Sequence, residues 1–313
     1  MNKAVTTMTH QEILKGIASA GFHKRYGEKP GKEATLRYLW EMKHITEAGF
    51  QDYYIMAYWI FNFYKPEDLD IWAFGAMNSS VICYSLGLTK VDPVKYGLQS
   101  ARFVNIKRPQ FQFDIPKSRY DEFMKRADEI LQSNIAAGFD APGIRASLLG
   151  QASSFACLDR KRERTVPNNI DDEVALYTLK TPNTMDMYDT YVRRMNGEAW
   201  EPTGVAGLDE ILAPTRGLLI YQEQVMEILS HYFHVSDVSA NLVRVIICRM
   251  FTKGEEEPLE EYKTKLFASL NDETSVEDAE KAWELITTTP HTYMKAHSVS
   301  RVLLGYHYEF SAI

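Results

Sequence analysis

The stretch Pro109-Gln110-Phe111-Gln112-Phe113-Asp114-Ile115 decides how the first half of this chain is read. Phe111, Phe113 and Ile115 alternate with Gln110, Gln112 and Asp114. A period of two predicts a β-strand over Phe111–Ile115, with three polar side chains sharing one face. The segments around it have helical periods instead. Ser118–Gln132 follows, with Phe123, Ala127, Ile130 and Leu131 on one face. Upstream, helices are predicted over Gln11–Ala20, over Thr35–Ala48 with Leu36, Leu39 and Trp40 on one face, over Gln51–Tyr64 as a buried helix, and over Ser79–Leu86. Gly27–Gly31 reads as a loop, Gly49 as a stop, Gly87 as a cap and Asp92-Pro93 as a turn. Downstream come a Gly/Pro loop, Ala137–Gly143, and a charge run, Arg160–Arg164. From Ile170 on the pattern is mostly helical. One stripe is Val225, Ile228, Leu229, Tyr232 and Phe233; another is Val276, Ala279, Trp283 and Ile286; the last helix is predicted over Met294–His307. The expected architecture is α+β with a mixed sheet over residues 1–150 and all-helical over residues 151–313.

Composition narrows the class. The 313 residues are 45% hydrophobic and 25% charged, ordinary for a folded globular chain. A net charge of −7 argues against coating nucleic acid by bulk positive charge and leaves room for a local basic cleft. Cys83, Cys157 and Cys248 form no disulfide framework and no zinc-ligand spacing. The polar stretch Met1–His10 is not a signal peptide, and no apolar run spans a membrane, so a cytoplasmic location is expected.

Leu218–Met226, LLIYQEQVM, preceded by LDEILAPTRG at Leu208–Gly217, resembles a signature of the bacterial DNA polymerase III alpha subunit, the C family of replicative polymerases. Further likenesses follow in the family's order: GFHKRYG at Gly21–Gly27, EAGFQDYYIMAYWIFNF at Glu47–Phe63, SSVICYSLGLTKVDPVKYGL at Ser79–Leu98, ARFVN at Ala101–Asn105, DDEVALYTLKTPNTM at Asp171–Met185, YVRRMNG at Tyr191–Gly197 and YMKAHSVS at Tyr293–Ser300. The resemblance implies a nucleotidyltransferase-type palm over residues 1–150, its thumb segment largely deleted, and helical fingers over residues 151–313. It leaves no room for the family's N-terminal phosphoesterase domain or its C-terminal DNA- and clamp-binding regions.

A polymerase palm works with two divalent ions that activate the primer hydroxyl and neutralise the triphosphate. The family supplies their carboxylates as a Pro-Asp-x-Asp-x-Asp-like run and a third Asp from a neighbouring strand. Here both metal-ligating positions are amides, Gln110 and Gln112; Asp114 matches the following Asp, which is not a metal ligand; Asp140, in FDAPGI, faintly matches the third. Loss of two anions from such a site should slow the reaction on the order of thousands-fold or more. A bland reading stands beside this one: Gln110, Gln112 and Asp114 as the polar face of a half-buried strand. The family's phosphate loop, Gly-Arg-Gly-Ser-like, corresponds to Ala73, Phe74, Gly75 and Ala76; only Gly75 and Ser80 keep its pattern. In the fingers, Arg244, Lys295 and His297 match nucleotide-phosphate residues, and Arg249 and Lys253 follow Arg244 as DNA contacts. Arg160, Lys161, Arg162 and Arg164 are either DNA-backbone contacts or a solvated run. Arg193 and Arg194 read as surface, and His231 with His234 as a poor metal pair.

The resemblance implies a protein associated with DNA replication, lacking polymerase chemistry of its own and binding primer–template DNA or a replisome protein. Two alternatives stand: a minimal or split DNA-directed DNA polymerase, from a phage or mobile element, completed by a companion chain; and an interaction protein that imitates the polymerase. No cofactor is expected for the chain alone, and Mg2+ if it is active.

Overall fold

The computed structural model describes residues 8–63, 71–105, 107–139, 148–153, 165–182, 184–255, 257–290 and 292–311. The chain divides into two compact units, Met1–Arg160 with Leu303–Ile313, and Lys161–Val302.

In the first unit, α1 (His10–Tyr26) starts at a capping box: the Glu12 amide donates to Thr9 Oγ1 at 3.3 Å, and the Thr9 amide donates to Glu12 Oε2 at 2.7 Å. Leu14, Ala18 and Phe22 form its buried stripe, so α1 runs six residues beyond the expected end at Ala20. Gly21 permits this by close approach rather than by ending the helix. A Cβ there would lie 1.9 Å from the Ser85 carbonyl oxygen, in the short helix α4 (Val81–Ser85). Helix α2 (Lys32–Glu47) departs from the expected face. Ala34, Glu41, Met42 and Ile45 are buried, while Leu36 and Leu39 are 56% and 58% exposed. Helix α3 (Gln51–Phe63) is the buried helix expected, with Tyr54, Ile55, Met56, Ala57 and Ile60 all inside.

The sheet has the order β1 (Trp72–Ala73), β2 (Phe111–Pro116), β3 (Leu148–Ser153). The β1–β2 pair is antiparallel, with Trp72 opposite Asp114 and Ala73 opposite Phe113; the β2–β3 pair is parallel, from Phe111 opposite Leu148 to Pro116 opposite Ser153. The sheet is therefore mixed. Helix α5 (Tyr120–Ala136) lies between the two parallel strands in sequence, as a parallel connection requires. The apolar face of β2 lies in the core: Phe111 meets Tyr54 edge-on at 5.3 Å and Phe113 meets Phe61 at 4.0 Å. The predicted strand is present one residue longer; β1 and β3 were not anticipated.

The second unit is helical among its described residues: α6 (Ile170–Leu179), α7 (Tyr188–Met195), α8 (Ala206–Leu212), α9 (Gln222–Phe233), α10 (Asp237–Lys253), α11 (Glu257–Ala268), α12 (Val276–Thr288) and the start of α13 (Lys295–Ser311), whose residues from Leu303 on belong to the first unit. The α9 stripe, Val225, Ile228, Leu229, Tyr232 and Phe233, is buried as expected. On α12, Ala279, Trp283 and Ile286 are buried, but Val276 is 58% exposed. It is the first helical residue, N-terminal to the turn that packs.

Two glycines of α1 should behave oppositely. Gly21→Ala should lower the unfolding free energy by about 3 kcal/mol, because a backbone carbonyl cannot rotate out of the way. Gly16→Ala, where nothing lies within 4 Å of the new methyl, should raise it by about 0.5–1 kcal/mol. Urea denaturation of both variants checks the pair.

Candidate functional site

Along the polar face of β2 exposure falls from one end to the other. Gln110, just before the strand, is exposed; Gln112 is half-buried; Asp114 is 0% exposed. A half-buried polar face was expected, and Asp114 departs from it because the C-terminal half of this central strand is covered on both faces. Gln112 is tied to the loop between β1 and α4. Its amide donates to Met77 Sδ at 3.3 Å and its carbonyl accepts from the Phe74 amide at 3.0 Å. Gly75 has φ of 72°, and a Cβ there would stand 2.1 Å from Gln112 Oε1. Loop and strand thus meet at Gly75 and Gln112, where the positive φ of residue 75 favours glycine and a side chain would have to displace the Gln112 amide.

Magnesium is a hard cation that proteins hold mainly through one or two carboxylates. Gln110 and Gln112 offer neutral amides, and Asp114 is enclosed. Among the described residues no group of three His, Cys, Asp or Glu side chains could hold a metal ion. These residues do not fit the paired ions of a polymerase palm. Asp140 lies outside the described residues.

The turn after Gly75 leads into α4, whose N-cap is Ser80. Ser80 Oγ accepts from the Cys83 amide at 3.0 Å and donates to Glu41 Oε2 at 2.6 Å. Glu41 also accepts from the Val81 and Ile82 amides, both at 2.9 Å, and from Ser100 Oγ at 2.6 Å. Burial pushes the Glu41 carboxyl above its usual range, and these four donors pull it back. The anion seated on this helix start is therefore a side chain from α2. Sequence reasoning missed Glu41. The available signal was the second helical phase of α2, Ala34, Tyr38, Glu41, Met42 and Ile45, with one carboxylate inside it.

In the second unit the Tyr221–Gln224 signature works as a clasp. The Gln222 amide donates to the Tyr293 carbonyl at 2.9 Å, and the Tyr293 amide to the Ile220 carbonyl at 2.8 Å. Glu223 accepts from the Lys295 and Ala296 amides at 2.9 and 3.3 Å, capping α13. Gln224 Oε1 accepts from the Ile220 and Tyr221 amides, and its Nε2 donates to Thr215 Oγ1 at 2.7 Å. These bonds bring Lys295 and His297 to the start of α9, with Lys295 Nζ 5.7 Å from the Tyr221 ring centre. His297 accepts at Nε2 from Arg301 Nε at 3.4 Å, which assigns its proton to Nδ1. Burial, reinforced by the Arg301 charge, lowers its pKa to about 4, so it is neutral at pH 7.

The remaining basic positions differ in access. Arg244 is 8% exposed and donates from Nε to Asn241 Oδ1 at 3.1 Å. Arg249 and Lys253 are exposed near the end of α10, with Lys253 Nζ 3.9 Å from Glu255. Arg160, Lys161, Arg162 and Arg164 lie outside the described residues. Arg193 is exposed and pairs with Glu198 at 2.9 Å; Arg194 instead donates to the Arg216 carbonyl at 2.7 Å. Asp172 accepts from Tyr191 Oη and Arg216, both at 2.7 Å, a cluster no sequence spacing announced. His231 packs over Gly207, and His234 contacts Thr274 Oγ1 at 3.1 Å.

Glu41→Ala strips four buried donors of their acceptor and should lower stability by on the order of 3 kcal/mol in urea denaturation. His297 generates a pH dependence. Its folded pKa of about 4 lies below the ordinary 6.5, so the unfolded chain binds the extra proton between those values. Stability should fall by on the order of 2–3 kcal/mol as pH drops through that window, and His297→Gln should flatten the slope. Chemical denaturation across pH, with proton NMR titration of the ring, measures both.

Residues 12–137 match the Bacterial DNA polymerase III alpha NTPase domain, and residues 159–273 match the Bacterial DNA polymerase III alpha subunit finger domain. An error-prone DNA polymerase of Anaeromyxobacter sp. (strain K) is 25% identical over 116 residues, 36% of this chain and 10% of that protein. An error-prone DNA polymerase of Bdellovibrio bacteriovorus is 29% identical over 133 residues, 42% of this chain and 12% of that protein. The DNA polymerase III subunit alpha of Halalkalibacterium halodurans is 30% identical over 116 residues, again 36% and 10%. The matched segments span about a tenth of these relatives' length. No helix among the described residues is long and apolar enough to cross a membrane. With an NTPase-domain match on the unit that carries the mixed sheet and a finger-domain match on the helical unit that carries the Tyr221–Gln224 clasp, the chain belongs to the bacterial DNA polymerase III alpha family, by its palm and finger domains.

Proposed function

We propose that this chain is a catalytically silent palm-and-fingers protein of DNA replication that engages primer–template DNA without extending it. The observation that carries the proposal is the pair of amides at the metal positions of β2. Gln110 brings no charge to the exposed end of the strand, and the Gln112 amide oxygen lies over Gly75. The nearest acidic side chain on that face, Asp114, is fully enclosed. An amide oxygen cannot supply the net negative charge that holds two divalent ions beside a triphosphate.

What the site keeps suits positioning rather than chemistry. The reduced palm, over residues 1–150, retains a Gly75 turn docked on the strand, with the helix start behind it filled by Glu41. The fingers, over residues 151–313, retain Lys295 and a neutral His297 beside the YQEQ clasp. Arg249 and Lys253 stand exposed on α10, where they could meet a phosphodiester backbone by charge. Arg244 is held by Asn241 as a support for α10.

Primer extension with magnesium or manganese should give no product from the purified chain. Fluorescence anisotropy should show salt-dependent binding of primer–template DNA, and Arg249→Ala with Lys253→Ala should reduce the slope of log affinity against log salt by about two. Extension by the chain alone would contradict the proposal. Extension that appears only when a second polymerase chain is added would favour the split-enzyme reading, and absence of salt-dependent binding would remove the DNA half.

A further inference from the structure

The family's chemistry leaves one feature of the second unit unused, a groove of about 450 Å³ formed by α10, α11 and α12. Phe267 and Trp283 supply aromatic walls, their ring centres 6.2 Å apart and nearly perpendicular. Glu260, Glu280 and Glu284 stand around it, all exposed, with Lys263 the one base in the lining. The finger-domain match ends at residue 273, so Glu280, Trp283 and Glu284 lie beyond it.

Charge is concentrated here. Residues 253–284 carry eleven carboxylates and four lysines, a surplus equal to the net charge of −7 of the whole chain, so the other residues sum to zero. Three of the four lysines lie beside carboxylates outside the groove: Lys253 3.9 Å from Glu255, Lys265 2.6 Å from Glu261 and Lys281 2.9 Å from Glu277. The fourth, Lys263, lies 5.9 Å from the Phe267 ring centre. No ion pair among the described residues involves Glu260, Glu280 or Glu284. Glu260, Glu280 and Glu284 are among the carboxylates of this stretch without an ion pair, and they gather around the aromatic groove.

We infer that this groove docks an arginine-bearing segment of a partner protein. A guanidinium can stack on an aromatic face while its N–H fork reaches a carboxylate, and its aliphatic stem covers apolar wall. A volume of this size accepts one or two such side chains with their backbone. Nucleic acid is the wrong occupant, because its phosphates would face three uncompensated carboxylates. This inference stands apart from the DNA-binding proposal, which uses other residues.

The test is anisotropy of a fluorescein-labelled dodecapeptide containing four arginines and two leucines among glycine and serine, titrated with the full chain. The peptide should bind, its citrulline-for-arginine counterpart should not, and Glu280→Gln with Glu284→Gln should weaken binding about fivefold. Glu261→Gln with Glu277→Gln removes the same charge from α11 and α12 outside the groove and should change affinity less than twofold. Retained circular dichroism shows that each variant is folded. No binding, equal weakening by both double variants, or displacement of the peptide by a single-stranded oligonucleotide would overturn the inference.

Discussion

The first unit depends on one buried carboxylate. Glu41 reaches from α2 into the start of α4, where the Val81 and Ile82 amides and the Ser80 and Ser100 hydroxyls converge on it. A charge removed from water is tolerable only with such a full set of donors. In return, those four bonds fix three separate stretches: α2, the turn that carries Gly75, and the short turn Ser100–Arg102. The loop that meets the central strand is thus held from behind by an internal anion, and the Gly75–Gln112 contact is the front of the same assembly.

That arrangement makes the amides of β2 consequential. Period-two geometry places residues 110, 112 and 114 on one face of the strand. What differs is charge. Gln112 is a neutral amide lying over Gly75, and Asp114 is enclosed beside the β1 pairing, opposite Trp72. In the second unit, the signature residues Glu223 and Gln224 spend their hydrogen bonds on backbone amides and on Thr215, so that motif acts as a structural clasp and positions Lys295 and His297.

Much of this was legible in the sequence where periodicity and burial agree. The alternation at Phe111–Ile115 located the central strand, and the apolar residues from Tyr53 to Phe61 located the buried helix. The reading failed where two periods compete or where long-range contact decides. In α2, Leu36 and Leu39 suggested one face, yet the helix buries Ala34, Glu41, Met42 and Ile45, because the helix start at Val81 needs an anion. Gly21 continues a helix because a neighbouring carbonyl lies against it. The two-residue β1 and the strand β3 carry too little pattern to be read locally; they exist as partners of β2. The Asp172, Tyr191 and Arg216 cluster joins three distant segments, and the groove carboxylates come together only through the packing of α11 against α12.

The central claim is that β2 holds amides where an ion pair would need anions. Manganese binding by the purified chain, followed by electron paramagnetic resonance of the free ion, tests it without reference to any partner or DNA. The account predicts no saturable site at millimolar manganese, and a new saturable site when Gln110→Asp and Gln112→Asp are introduced together. Saturable manganese binding by the unaltered chain that disappears on Asp114→Asn would contradict it.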